Sequence, residues 1–263
     1  MKLRDAVIQT ERFFERMLGA YEKGPTSTTD PDLLALSDKY KLQIITDYSA
    51  DEQTFSFSAL DKAQLKNARD LLETELDLYT PQAIHDSRLE RIVLCSDLKG
   101  GEDTVSGLAD MGFLIVDTIF INIDRVKKFW EHAQRTVHHE LFHCMDFFDD
   151  GLIDFEWRKL NQPGFTYWHL NNLTVKETHK GGFLQDYCMK SEWEDKAVVY
   201  SYLIVNHAEV LRRCEKDKIL AEKVERLKEI VLKISPEFDD QFWERINQRS
   251  LKHSREFSIP GHV

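Results

Sequence analysis

Three side chains in one short segment have the types and the spacing of a metal centre. The segment contains the pattern H-E-x-x-H, in which His139 and His143 are four residues apart and Glu140 follows the first histidine. On an α-helix, residues four apart lie on one face, so both imidazoles can occupy corners of a tetrahedral zinc site. Glu140 can then lean over the open position of the metal. This layout predicts a zinc-dependent hydrolase.

The pattern is short enough to occur by chance, so the segment around it has to support a helix. Apolar residues recur at intervals of three and four and predict an amphipathic, half-buried helix with Asp124 as its N-cap. These residues are Val126, Phe129, Trp130, Ala133, Val137, Leu141 and Met145. The alternative interpretation is that both histidines are ordinary polar residues on the helix edge. His138 points about 100° away from His139 on a helix, and we assign it no metal role.

Composition places the chain among globular proteins and excludes several partners. It has 263 residues, of which 42% are hydrophobic and 31% charged, which suits one large or two small domains with an ample core. The formal net charge of −11 argues against nucleic acid or an anionic membrane as a partner, because phosphate binding needs clustered Lys and Arg. The oligomeric state is left open.

Cysteine usage and the N-terminus bear on the compartment. The four cysteines are scattered without a C-x-x-C pair and predict neither a disulfide framework nor a cysteine zinc site. The first residues show no signal-peptide core, and no run of eighteen apolar residues occurs. We therefore expect a soluble, cytoplasmic protein, or a secreted one if a leader was removed.

Hydrophobic periodicity predicts an α+β fold in three parts. Residues 1–30 form an N-terminal helix (3–23) and a polar linker, and residues 31–150 form an α+β subdomain that ends in the H-E-x-x-H helix. Residues 151–263 form a mostly helical subdomain that carries the third zinc ligand. Its charged run 215–233 is typical of a solvated helix face.

Short apolar and β-branched segments predict a small mixed sheet before the metal helix. The predicted strands cover residues 42–46, 54–58, 91–95 and 117–123. We expect segment 118–123 to form an edge of this sheet, where an extended substrate could pair its backbone. Further helices are predicted at 60–78, 192–205 and 207–234, and around Phe238.

A catalytic zinc normally has three protein ligands and one water, so two histidines require a third ligand. In one large class of such enzymes it is a glutamate from a separate downstream helix. The candidates are Glu177, Glu192, Glu194 and Glu209. Spacing alone does not choose between them.

Four separated motifs carry a likeness to a known family. They are H-E-L-F-H-C-M-D at 139–146, W-R-K-L-N at 157–161 with G-F-T-Y at 164–167, G-F-L-Q-D-Y at 182–187 and E-D-K-A at 194–197. In this order they resemble the zinc-binding metallopeptidases that look like relatives of the lethal-factor-type gluzincins. The likeness covers about residues 90–245 and implies a zincin-like α+β domain with one zinc ion per chain.

The resemblance also implies roles for single residues. Glu194 matches the third zinc ligand, and Tyr187 matches a tyrosine whose hydroxyl donates to the transition-state oxyanion. Val198 departs from the family, whose pattern usually continues E-D-x-A-E, so a carboxylate outside the ligand shell is missing here. Loss of such a group typically changes affinity or activity by about 10- to 100-fold.

These residues lead us to expect a metallopeptidase that hydrolyses a peptide or protein substrate. Zinc held by His139, His143 and Glu194 would lower the pKa of water toward about 7, with Glu140 as general base. Asp146, one turn beyond His143, could act outside the ligand shell. The alternative is a zinc-containing peptide-binding protein with weak or no turnover.

Overall fold

The computed structural model describes residues 28–51, 55–109, 116–124, 126–146, 154–167 and 181–256. The helix predicted at 3–23 lies outside these residues.

The first part of the described chain alternates short helices and strands. The elements are α1 (Pro31–Tyr40), β1 (Gln43–Ile45), β2 (Ala50–Asp51), β3 (Phe55–Ser58), α2 (Lys62–Leu76), α3 (Pro81–Asp86), β4 (Arg91–Gly100), β5 (Asp103–Thr104), β6 (Gly107–Ala109) and β7 (Thr118–Asn122). Local chemistry sets the helix starts. The Asp30 carboxylate caps α1, which has Pro31 at its first position, and Asp61 forms a capping box with Gln64 at the start of α2.

The second part is helical. It contains α4 (Trp130–Asp146), α5 (Phe155–Leu160), a 3-10 turn (Asp186–Met189), α6 (Glu192–Val205), α7 (His207–Cys214), α8 (Lys218–Ile234) and α9 (Asp240–Glu256). The predicted α+β class is therefore confirmed. Among the described residues, no helix combines the length and the apolarity needed to cross a bilayer.

The sheet is mixed, as predicted, but its edge lies elsewhere. The strand order is β2-β3-β4-β7-β6, and β1 and β5 also pair with β4. Strand β7 runs parallel to β4 on one side and antiparallel to β6 on the other. The prediction of an edge at 118–123 is therefore wrong, because the backbone of Gly107–Ala109 pairs with the outer side of β7.

Helix α4 begins later than the sequence predicts. It starts at Trp130, so Asp124 is not its N-cap. The Asp124 carboxylate instead accepts hydrogen bonds from the backbone N–H of Asp97 and the side-chain amide of Gln64. These bonds join the end of β7 to β4 and α2. Turns at residues 126–128 then precede the helix, which begins at Trp130.

One large hydrophobic cluster holds the helices and one face of the sheet together. It includes Ile92 and Leu94 of β4 and Leu141 of α4, as well as Leu203 of α6. A smaller cluster covers the opposite face of the sheet and includes Val93 of β4. The alternation along β4 is that of a strand with both faces buried. The predicted division of the chain near residue 150 stays a prediction.

Candidate metal centre

Helix α4 carries the predicted ligands where the core meets a cleft. Val137 and Leu141 on its inner side are buried in the large cluster. His139 keeps 14% of its side chain exposed, whereas His143, one turn later, keeps 7%. One face of the helix is thus anchored in the core, and His139 on the opposite side stays partly exposed.

His138 turns the opposite way. Its Nδ1 lies 2.7 Å from the Tyr79 hydroxyl, and its Nε2 lies 2.7 Å from a Glu75 carboxylate oxygen. Both ring nitrogens are therefore engaged in the interior, away from His139.

The side chains of His139, His143 and Glu194 converge on one point. The two Nε2 atoms are 3.1 Å apart. Oε2 of Glu194 lies 3.0 Å from Nε2 of His139 and 3.5 Å from Nε2 of His143. Glu140 also brings a carboxylate oxygen within 4.8 Å of ligand nitrogens of both histidines. His143 and Glu194 are 51 residues apart in the sequence. They lie side by side because α4 packs against α6.

This donor set fits a zinc ion. Two imidazole nitrogens and one carboxylate oxygen are a common ligand combination of catalytic zinc. Ligand atoms about 2.0–2.1 Å from a tetrahedral zinc lie roughly 3.3 Å apart, and the three separations here are 3.0, 3.1 and 3.5 Å. Oε2 of Glu194 is also buried without a hydrogen-bond partner among the described residues, a state that a bound cation would relieve.

The electrostatics of the site favour positive charge between these groups. Burial opposes ionisation of Glu194, but the two imidazoles beside it hold the pKa of its carboxyl well below the usual range. Burial also opposes protonation of His139, yet the neighbouring Glu194 and Glu140 carboxylates leave its pKa raised. Burial lowers the pKa of His143, which keeps that ring neutral and able to donate an electron pair.

Glu140 is placed differently from Glu194. Burial raises the pKa of Glu140 to about 7, even though the charge of His139 and a hydrogen bond from the backbone N–H of Ala109 lower it. Strand β6 passes so close that a Cβ atom at Gly107 would lie 2.6 Å from Oε1 of Glu140. A glycine is needed there. A carboxylate with a pKa near neutrality, held by a backbone amide, is suited to proton transfer.

Tyr187 lies at the rim of the same site. Its hydroxyl donates to Oε1 of Glu194 over 2.8 Å, and its ring centroid is 6.0 Å from that of His139. Burial raises the pKa of Tyr187, with the charge of Glu194 adding to the effect, so the hydroxyl keeps its proton at neutral pH. The side chain of Ser191 caps the start of α6 by accepting from the backbone N–H of Glu194.

The other candidate ligands lie elsewhere or are engaged otherwise. Glu192 is buried against Arg158, with Nη2 of the arginine 2.7 Å from its carboxylate. Glu209 pairs with Arg212 at the surface. Glu177 lies outside the described residues.

Comparison with known sequence families finds a match over the centre of the chain. The sequence profile of the family described as "Putative zinc-binding metallo-peptidase" matches residues 97–236, which is more than half of the chain. The chain belongs to this family. A crystal structure of a putative zinc-binding metallo-peptidase from Bacteroides caccae at 2.10 Å resolution has a similar fold, with a TM-score of 0.59 and 14% identity over 94% of this chain and 95% of that chain. Among curated proteins, no sequence matches.

In this member of the zinc-binding family, a buried ion pair ties the two helices of the site together. Nζ of Lys196, two residues after Glu194, donates to the carboxylates of Asp146 on α4 and Asp154 before α5. All three side chains are at most 2% exposed. That Asp146 acts on the metal site from outside the set of ligands stays a prediction. In the structure its carboxylate contacts Lys196 of α6.

A second buried cluster holds the start of α6 from the other side. Oδ2 of Asp195 accepts from Nζ of Lys223, the indole N–H of Trp157 and the hydroxyl of Tyr167. The side chains of Asp195 and Lys223 are both fully buried. The charged run 215–233 is therefore not a uniformly solvated face, because Lys223 points into the protein.

The same lysine fixes the segment that leads to Tyr187. Nζ of Lys223 donates to the carbonyl of Gly182, and the backbone N–H of Gly182 donates to Asp217. Gly182 has φ of +86°, and a Cβ atom there would lie 2.3 Å from Ile219. Sequence reasoning found the motif around Gly182 but missed its anchor, because no local pattern links residue 182 to a lysine on α8.

Beside the metal centre lies a cavity of about 370 Å³. His139, Glu140 and Tyr187 border it at one end, and Val198 forms part of its wall. Val198 is 2% exposed and brings no polar atom of its side chain to the site.

Proposed function

We propose that this protein is a zinc-dependent metallopeptidase of the gluzincin type, in a zincin-like domain. His139, His143 and Glu194 would hold one zinc ion. The single observation that supports this most is the position of Oε2 of Glu194, within 3.5 Å of both Nε2 atoms and without a hydrogen-bond partner among the described residues. The substrate would be a peptide or a protein.

Bound zinc supplies Lewis-acid chemistry, which makes water nucleophilic near neutral pH and polarises the scissile carbonyl. Glu140 accepts a proton from the attacking water and then returns it to the leaving amine. A carboxylate beside the metal centre can take up the proton in the first step and release it in the second.

The outer edge of β6 is a candidate site for hydrogen bonds with the substrate backbone. It ends the sheet among the described strands, and it passes directly over Glu140. An extended peptide that pairs with Gly107–Ala109 would add a strand to the sheet. The carbonyl groups of the bound peptide would then lie near the metal centre.

Tyr187 would donate its hydroxyl to the oxyanion of the tetrahedral intermediate. We expect Tyr187→Phe to lower kcat by about 100-fold with little change in KM, because the donor acts mainly in the transition state. Zinc content should stay the same, since Tyr187 contacts Glu194 without being a ligand. Steady-state kinetics on a peptide found by library cleavage measure both constants.

Tyr40→Phe is the matched control, because it removes a hydroxyl that donates to the carbonyl of Leu76 and borders neither the metal centre nor the cavity beside it. Equal kcat values for Tyr187→Phe and the wild type would remove Tyr187 from the mechanism. Absence of any cleavage by the zinc-loaded wild type would contradict the peptidase function itself.

A second candidate function is a zinc-containing peptide-binding protein with weak or no turnover. Val198 favours it, because a buried apolar side chain stands where the family pattern has a carboxylate that could orient a ligand. Peptide binding without hydrolysis, measured with zinc bound, would support this function over the enzyme.

A further inference from the structure

A buried hydrogen-bond network lies on the inner side of α4 and has no part in the proton transfers described above. It is centred on Glu75 of α2, whose side chain is fully buried. Oε1 of Glu75 accepts from Gln134 of α4 over 2.6 Å, and Oε2 lies 2.7 Å from Nε2 of His138. The guanidinium group of Arg249 on α9 donates to both oxygens, over 2.7 and 3.1 Å. Burial opposes ionisation of Glu75, but its contacts with His138 and Arg249 hold the pKa of the carboxyl below the usual range.

The hydrogen bonds of this network run in one direction. An ionised carboxylate only accepts hydrogen bonds, so Nε2 of His138 carries a proton and donates to Glu75. In the neutral ring, Nδ1 accepts from the hydroxyl of Tyr79, which lies 2.7 Å away. The Tyr79 oxygen in turn lies 3.1 Å from the hydroxyl of Tyr200, which donates to it. The network therefore connects Tyr200 of α6, through Tyr79, to His138 of α4 and Glu75 of α2.

The residues that precede the two histidine ligands are both held from this inner side. His138 precedes His139 and is fixed by the hydrogen bonds just described. Phe142 precedes His143, and its ring packs on Tyr200 with the centroids 5.1 Å apart. Because neighbouring residues of a helix differ by about 100° in direction, fixing His138 and Phe142 also fixes the direction in which both ligands point.

The rotation of α4 relative to α6 determines the geometry of the metal centre. Glu194 moves with α6, and its carboxylate lies 3.0 Å from Nε2 of His139 and 3.5 Å from that of His143. Functional groups of a site must be held within about 0.5 Å and 10–20° of the productive geometry. Tyr200, on the same helix as Glu194, opposes rotation of α4 through its contacts with Tyr79 and Phe142.

The C-terminal helix α9 takes part in the same network. Besides the bonds from Arg249 to Glu75, the ring of Phe242 stacks on that of Tyr79 with the centroids 5.9 Å apart. Glu75, Tyr79 and Arg249 all lie outside residues 97–236, so the family profile does not account for them. Helices α2 and α9 therefore reach the metal-binding helix through residues of their own.

We propose that Glu75 and Tyr79 are positioning residues of the metal centre, which fix the rotation of α4 relative to α6, and that Arg249 makes the C-terminal helix part of this support. The inference rests on the proposed zinc site. Loss of groups that orient ligands from outside the set of ligands typically lowers metal affinity by about 10- to 100-fold.

The test measures two properties of the full chain that do not depend on hydrolysis. They are the zinc dissociation constant, from competition with a chelating dye, and the visible absorption spectrum of the Co²⁺-loaded chain, which reports ligand geometry. Tyr79→Phe removes the hydroxyl between α4 and α6 and keeps the ring. We expect it to raise the zinc dissociation constant about 10- to 100-fold and to change the Co²⁺ spectrum. Glu75→Gln and Arg249→Met should act in the same direction, and Arg249→Met keeps the test valid if the other variants do not fold.

Tyr40→Phe is the matched control, because it removes a buried tyrosine hydroxyl that donates to the carbonyl of Leu76 at the end of α2. Its zinc dissociation constant and Co²⁺ spectrum should equal those of the wild type. If Tyr79→Phe and Arg249→Met also equal the wild type in both properties, the network only stabilises the fold and the proposal is overturned. Equal weakening of zinc binding in Tyr40→Phe would overturn it too, because loss of any buried hydrogen bond would then have the same effect. A wild type that binds no zinc would overturn the metal centre itself, and this proposal with it.

Discussion

Replacing Glu140 with glutamine should abolish most hydrolysis and leave the metal in place. The amide has nearly the same shape as the carboxyl group but cannot accept the proton of the attacking water. Loss of a general base typically lowers the rate by about 10²- to 10⁴-fold. The measurement is kcat/KM of the zinc-loaded Glu140→Gln variant and of the wild type on one cleaved peptide, with the zinc content of each.

Glu209→Gln is the matched control, since Glu209 is a surface residue in a local ion pair with Arg212. It should hydrolyse the peptide at the wild-type rate. If Glu140→Gln keeps its zinc and retains activity within a few-fold of the wild type, Glu140 is not the base.

Replacing Lys223 with methionine should destabilise the fold strongly. The substitution removes the ammonium group from a fully buried pair and leaves the Asp195 carboxylate without its cation. Breaking a buried ion pair in this way typically lowers the free energy of unfolding by about 3–5 kcal/mol. Urea unfolding of both proteins, followed by circular dichroism, measures the difference.

Lys233→Met on the same helix is the control. Lys233 is exposed in the last turn of α8, and surface substitutions of this kind usually change the free energy of unfolding by less than about 0.5 kcal/mol. A loss in Lys223→Met no larger than that of the control would show that the buried cluster does not stabilise the start of α6.

Local patterns made part of the site predictable. The spacing of His139, Glu140 and His143 requires only that the segment be helical, and α4 meets that condition. The predicted helix 192–205 coincides with α6, because its apolar pattern is long and its start carries a capping serine. Spacing could not select Glu194 over Glu192, since the choice depends on how α6 packs against α4.

Short elements were harder to predict. Strand β6 has three residues, too few for a period of two to be visible, and it therefore escaped the sequence prediction that made β7 the edge. Helix α1 carries a usable start signal, an aspartate before a proline, but the predicted helices do not include it.

Buried charged residues are another feature that the sequence did not predict. Lysine is a residue type that is rarely buried, yet Lys196 and Lys223 are both at most 1% exposed. Their partners are distant in the sequence: Asp146 lies 50 residues from Lys196, and Asp195 lies 28 residues from Lys223. A pattern within one helix cannot reveal such pairs, because burial of a charge depends on the partner that tertiary packing supplies.

Metal content tests the central claim most directly. Elemental mass spectrometry is applied to the wild type, Glu194→Ala and Glu209→Ala after identical mild chelation. We expect about one zinc ion per chain in the wild type and in Glu209→Ala, and almost none in Glu194→Ala, because removal of one of three ligands weakens the site. Absence of zinc from the wild type even after zinc is added back, or equal zinc in Glu194→Ala, would contradict the proposed metal centre.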